Sequence, residues 1–177
     1  MEIVFIRHAE KEEIGEDPSL TSKGIKQANK LAKRLKKEKF HEFYCSDLNR
    51  ARQTADIIAK KILLKPKIEK SLNEFKSETI KNPKSKWDKK EKIHYNSLIS
   101  FLDKMTKNPN ENKSVLIVAH GVTNRIILAH FLNLSLQNMI QFIQKETGIN
   151  AIYWMEKFKN WRLRMWNDHH HVPLELR

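Results

Sequence analysis

Several things are scarce in this sequence, and each scarcity closes off a class of protein. One cysteine, Cys45, stands among 177 residues, so an internal disulfide is impossible and the expected setting is a reducing cytoplasm. No window approaches the roughly 20 apolar residues of a membrane-spanning helix, so no membrane partner is expected. The opening apolar stretch Ile3-Val4-Phe5-Ile6 is short and runs into Arg7-His8-Ala9-Glu10, which does not read as a signal peptide with a small-residue cleavage site. Acidic residues are few beside basic ones, 21 Asp plus Glu against 34 Lys plus Arg, for a formal charge of +13. Such a balance favours anionic partners, nucleic acid and phosphorylated metabolites alike. The lysine-rich stretches 33–39, 60–70 and 76–92 hold only Trp87 as an aromatic and no Gly-rich arm, so they read as solvated faces, and nucleic acid is not the expected partner. A non-catalytic basic nucleic-acid-binding protein stays open as the alternative from another class. No internal repeat and no dividing linker is present. With 40% hydrophobic and 31% charged residues, the expectation is one globular domain over residues 1–177.

What is present is an alternation of strands and helices. Glu2–Ile6 reads as a buried strand, and Thr21 suits the N-cap of a helix from Ser22 to about Lys39 with Ile25, Ala28, Leu31, Ala32 and Leu35 on one face. Phe43–Cys45 reads as a second strand, followed by a helix from about Asn49 to Leu63. Pro66–Glu69 suggests a brief strand, and Lys76–Lys92, polar and broken by Pro83, reads as a short Lys-rich surface insertion. A helix from about His94 to Thr106 precedes Val115–Ala119, the strongest strand signal. Helices at about Thr123–Phe131 and Leu136–Gln144 lead to strands Ala151–Phe158 and Trp161–Trp166, with Lys159-Asn160 as the turn. The expected fold is α/β, a three-layer sandwich whose mostly parallel central sheet is covered by helices on both faces.

Two of the strands end in histidine. Arg7-His8 closes the first strand and His120-Gly121 closes the strongest one, at the carboxyl ends where open α/β sheets bind ligands. A histidine beside an arginine offers a nucleophile next to a cation, which points to phosphate chemistry. Gly121 lets an anion approach the backbone, and the helix after it brings its positive dipole end and the amides of Gly121 and Val122. Taken singly, a histidine after a buried strand reads first as a packed or hydrogen-bonded residue. The tract His169-His170-His171 has no accompanying carboxylate or cysteine at ligand spacing, so no metal site is expected there. Trp154, Trp161 and Trp166 read as core, and His41, His94 and His130 as structural or surface residues.

Five motifs in order complete the pattern: Arg7-His8-Ala9-Glu10, Leu20-Thr21-Ser22-Lys23-Gly24 with Gln27-Ala28, the block Ser46–Ala55, Leu72-Asn73-Glu74, and Ala119-His120-Gly121. Together they resemble the histidine phosphatase superfamily, also called the phosphoglycerate mutase-like family. The resemblance implies that His8 is a nucleophile forming a phosphohistidine, and that Arg7 and Arg50 clamp phosphate with Gly121 beside it. It implies that His120 is a second, charged catalytic histidine and Glu74 the proton donor to the leaving group, its pKa raised by the neighbouring phosphate. No metal and no cofactor is implied, and the substrate class is a small phosphomonoester. Two alternatives lie inside the family, a protein phosphohistidine phosphatase of the small roofless branch and a phosphoglycerate mutase. Arg52 is expected to be a solvent-facing or salt-bridge residue. The sequence departs from the family's commonest form at Ala9, where Gly is usual, and at Ile14, in the region where many members carry a phosphate-touching Asn. Both bear on the outer phosphate shell. Nothing in the sequence indicates an oligomeric state.

Overall fold

Alternation along the buried strands sets the layering, because successive side chains of a strand face opposite sides of a sheet. In the first strand Ile3 and Phe5 pack with one apolar cluster, while Val4 and Ile6 pack with another. Val115, Ile117 and Ala119 likewise oppose Leu116 and Val118. Each face therefore needs its own cover, which gives three layers.

The computed structural model describes residues 1–177. Six strands, β1 (Glu2–Arg7), β2 (Glu42–Cys45), β3 (Lys67–Ile68), β4 (Ser114–Ala119), β5 (Ile149–Met155) and β6 (Asn160–Asp168), form one sheet in the order β3-β2-β4-β1-β5-β6. β3, β2, β4 and β1 pair in parallel, and the antiparallel β5 joins β1 to β6. Helices α1 (Ser22–Leu35) and α2 (Asn49–Ile62) cover one face. The other face is covered by α3 (Ser77–Lys81), α4 (Lys89–Met105) and α5 (Gly121–Leu132). Thr21 caps α1 by accepting from the Gly24 amide. No helix is long and apolar enough to cross a membrane. Burial pushes the Cys45 thiol up to about 12, which leaves it unreactive.

Some expected boundaries move. The first helix stops at Leu35 rather than near Lys39, and Ile25 lies exposed beside the solvated lysines. Lys76–Lys92 is not a purely solvated insertion: Thr79, Ile80 and Trp87 are buried, and α4 begins at Lys89 instead of His94. Asp88 and Glu91 form a reciprocal capping box that starts this helix early. Lysines dilute the apolar spacing of the segment, and two large side chains are enough to anchor it. Leu136–Gln144 yields only a short 3-10 turn, Gln137–Gln141, and the brief third strand shrinks to Lys67–Ile68. The turn before the last strand is not Lys159-Asn160 but Glu156–Lys159: β5 stops at Met155, which pairs with Asn160, a 3-10 turn spans Glu156–Phe158, and Lys159 lies in the left-handed region at φ 49°.

Candidate active site

Three adjacent central strands bring the chemistry together. β1 pairs with β4 so that Arg7 opposes Ala119, and β2 pairs with β4 so that Cys45 opposes Val118. The next residues, His8, His120 and Ser46, therefore emerge side by side at the carboxyl ends of these strands. The rings of His8 and His120 lie 5.0 Å apart, and both side chains are buried.

The first strand ends in a tightly held nucleophile candidate. His8 Nδ1 lies 2.7 Å from the Ala9 carbonyl, an atom that only accepts, so Nδ1 carries the proton. Nε2 is the bare nitrogen, and Arg50 Nε, in the first turn of α2, donates to it at 3.2 Å. Burial, reinforced by Arg50, Arg7 and Lys11, lowers the His8 pKa to about 3, against a weaker opposing effect of the Ala9 carbonyl. The ring is neutral and nucleophilic over the physiological range.

Arg50 is the cation in contact with this nitrogen, and Arg7 acts on the ring through its charge. Arg50 is buried, with Asp17 3.7 Å from its Nη1. Arg7 donates to the Gln144 carbonyl at 2.6 Å and pairs with Glu146 at 2.7 Å, so its fork is held in place by the 144–146 segment. Arg52 stands apart in an exposed pair with Asp47. A Cβ at Gly121 would meet Arg7 Cδ and Nε at 3.8 Å, an ordinary contact, so no protein atom demands glycine there.

Glu74 lies beside His120, with Oε2 3.7 Å from Nδ1. Its Oε1 accepts from the Val122 amide at 3.1 Å, so the amide expected to hold phosphate holds the acid instead. Burial raises the Glu74 pKa, partly offset by the Val122 amide, Arg50 and Arg7. The lift arises within the protein itself and does not depend on a phosphate charge. His120 differs from its expected charged state: burial first, then His8, Arg50 and Arg7, hold its pKa well below the ordinary value. The protein's own groups favour the neutral ring.

A family model described as histidine phosphatase superfamily, branch 1, matches residues 3–98 and 94–169. The chain belongs to this superfamily. No curated protein matches it. Among solved structures, it is similar to a phosphoserine phosphatase from Entamoeba histolytica in complex with 3-phosphoglyceric acid. The TM-score is 0.78 at 22% identity, covering 96% of this chain and 98% of that one. It is also similar to a mycobacterial glucosyl-3-phosphoglycerate phosphatase in complex with inorganic phosphate, at TM-score 0.78 and 18% identity, covering 97% and 99%. At these identities the likeness establishes the shared fold.

Ligand atoms of His8, Glu74 and His120 lie within 4.8 Å of one another, a spacing that would also admit a metal ion. Arg7 and Arg50 set two fixed positive charges against a cation there, while they match an anion. Of the two departures from the family pattern, Ala9 meets the site through its backbone, whose carbonyl fixes His8 Nδ1, and its side chain points into the core. Ala9 packs with Leu20 and Ala28, its amide held by Thr54 Oγ1 at 3.1 Å, and Ile14 is 91% exposed. The histidine tract supports the site from behind: His169 Nε2 donates to the Glu146 carbonyl and His171 Nε2 meets Thr147 Oγ1. Asp17, Thr54, Gln144 and Glu146 were not singled out in the sequence, since each acts through a partner far along the chain. Arg125 was also missed. On α5, its Nε donates to the Phe142 carbonyl at 2.7 Å, two residues from the carbonyl that holds Arg7.

Proposed function

We propose that this chain is a metal-independent phosphatase that hydrolyses small phosphomonoesters through a phosphohistidine on His8. The observation that carries the reading is the fixed His8 ring, with Nδ1 committed to the Ala9 carbonyl and bare Nε2 set beside Arg50 and His120. His8 Nε2 bonds to phosphorus as the ester P–O bond breaks, and Glu74 gives its proton to the departing alkoxide. Water then attacks the phosphohistidine, Glu74 takes its proton, and phosphate leaves with His8 restored. Arg7 and Arg50 neutralise the transferring oxygens.

The two similar structures, a phosphoserine phosphatase and a glucosyl-3-phosphoglycerate phosphatase, support an ester substrate. The raised pKa of Glu74 favours an ester over a phosphohistidine protein, because an alkoxide needs a proton to leave and an imidazole needs it less. Between Glu74 and α4 the chain holds only the five-residue α3 and a 3-10 turn, a small insertion that favours hydrolysis over a mutase, which must exclude water. The test is hydrolysis of p-nitrophenyl phosphate in chelator by wild type and His8→Ala. Wild type is expected to be active and the variant reduced by at least about 10³-fold; equal rates would remove His8 from the reaction.

A further inference from the structure

Hydrogen-bond accounting around His120 determines which of its nitrogens faces the site. Asn73 has an oxygen, Oδ1, at 2.9 Å from the Asp47 amide and 2.8 Å from Ser46 Oγ. A backbone N–H can only donate, so the Asn73 atom must be the carbonyl oxygen and its amide orientation is settled. That oxygen cannot donate, so the short contact with Ser46 uses the Ser46 hydroxyl proton. Ser46 Oγ then has only lone pairs left, and two groups approach them: the Leu48 amide at 3.2 Å and His120 Nε2 at 2.7 Å. The hydroxyl's capacity is one donor and two acceptors, all used. His120 Nε2 must therefore carry a proton.

We propose that Ser46 and Asn73 are positioning residues that lock His120 in its Nε2–H form and so present Nδ1 to the phosphoryl group. His120 Nδ1 is buried without a hydrogen-bond partner in the protein and faces Glu74 Oε2 at 3.7 Å. A second proton on Nδ1 makes it a donor to a phosphoryl oxygen, with the Nε2–H already anchored behind. The other tautomer would turn a lone pair on Nε2 towards a saturated hydroxyl, at a cost set by the unpaired buried atoms. Asn73 also ties the three pieces that carry the site. Its side chain holds the Ser46–Asp47 turn before α2, its carbonyl accepts from Thr123 of α5 at 2.9 Å, and the next residue is Glu74. Ser46 and Asn73 were quoted in the sequence motifs, yet composition and spacing gave them no role.

The role of His120 as a donor to phosphate rests on the phosphatase reading, but its tautomer does not. Nitrogen NMR of the imidazoles in wild type, without substrate, reads the tautomer directly, with His120→Gln assigning the signals. A single Nε2–H species is expected for His120; an Nδ1–H species, or a mixture, overturns the proposal. If wild type hydrolyses p-nitrophenyl phosphate, Ser46→Ala should lower kcat by roughly 10²- to 10⁴-fold, in line with losing a tautomer-fixing partner, and leave KM within about threefold. It should also yield mixed His120 tautomers. Ser46→Thr, which keeps the hydroxyl, should restore kcat to within about tenfold of wild type and the single tautomer with it. A Ser46→Ala enzyme within about threefold of wild type in kcat would overturn the proposal even if the tautomer were as expected. Should Ser46→Ala fail to fold, the wild-type spectrum and Ser46→Thr decide between these outcomes. A single Nε2–H species in a chain without esterase activity would contradict the phosphatase reading and leave the lock intact.

Discussion

In the proposed reaction Glu74 has to hold a proton when the alkoxide leaves, and burial raises its pKa in that direction while the Val122 amide and two arginines work against it. His8, in contrast, must be unprotonated, and burial lowers its pKa to about 3. Opposite protonation demands are met by one physical cause acting on an acid and on a base. The sign for activity follows: kcat/KM is full while Glu74 is protonated and His8 neutral, and falls as pH rises through the raised value of Glu74. Glu74→Gln cannot deliver a proton, so with an alkyl phosphate kcat should fall by about 10²- to 10⁴-fold and the alkaline limb of the pH profile should vanish. A Glu74→Gln profile with an unchanged alkaline limb would assign that limb to another group.

At the scale of elements, α1 is held against the loop that follows His8. A Cβ on Gly24 would lie 2.0 Å from the Glu10 carbonyl oxygen, so only glycine permits the approach. Gln27 of the same helix accepts from the Glu10 amide at 2.9 Å, and Thr21 donates to the Glu10 carboxylate at 2.8 Å. Gly24→Ala should therefore push the Glu10 backbone away and disturb His8 two residues earlier. Thermal melts are expected to show a loss of about 1–3 kcal/mol, with kcat reduced as well; a variant with wild-type melting and rate would show that the helix yields freely. The element order and the parallel core were legible because Val115–Ala119 and Ile3–Ile6 are unbroken apolar runs and α1 and α2 repeat at helical spacing. The two histidines and Arg50 were legible because they follow strand ends and open a helix. Less was legible where the cause is tertiary: Trp87 and Ile80 are single anchors in a lysine background, and the bonds of Gln144, Glu146 and Asp17 to the arginines span long stretches of chain.

Taken as a whole, the molecule buries several imidazoles in their neutral form. Burial lowers His171 to about 4 and His8 to about 3 from the ordinary 6.5, and lowers His120 and His169 as well. The unfolded chain protonates these rings more readily than the fold does. Stability is therefore fully present above about pH 6.5 and is lost as pH falls towards the folded values. Unfolding midpoints measured from pH 7 down to pH 4 should decline steadily; a flat series would mean that the rings are charged in the fold. The +13 charge of the chain adds long-range attraction for anions, while in the proposed reaction Arg7, Arg50 and the His8 ring decide what happens to a bound phosphate ester. That decision is tested most directly by rapid-quench labelling with a phosphomonoester carrying radioactive phosphate, followed by peptide mapping. Label on His8, labile to acid and stable to alkali, is expected in wild type and absent from His8→Ala; an active wild type with no labelled histidine, or label retained in His8→Ala, would contradict a phosphohistidine at this position.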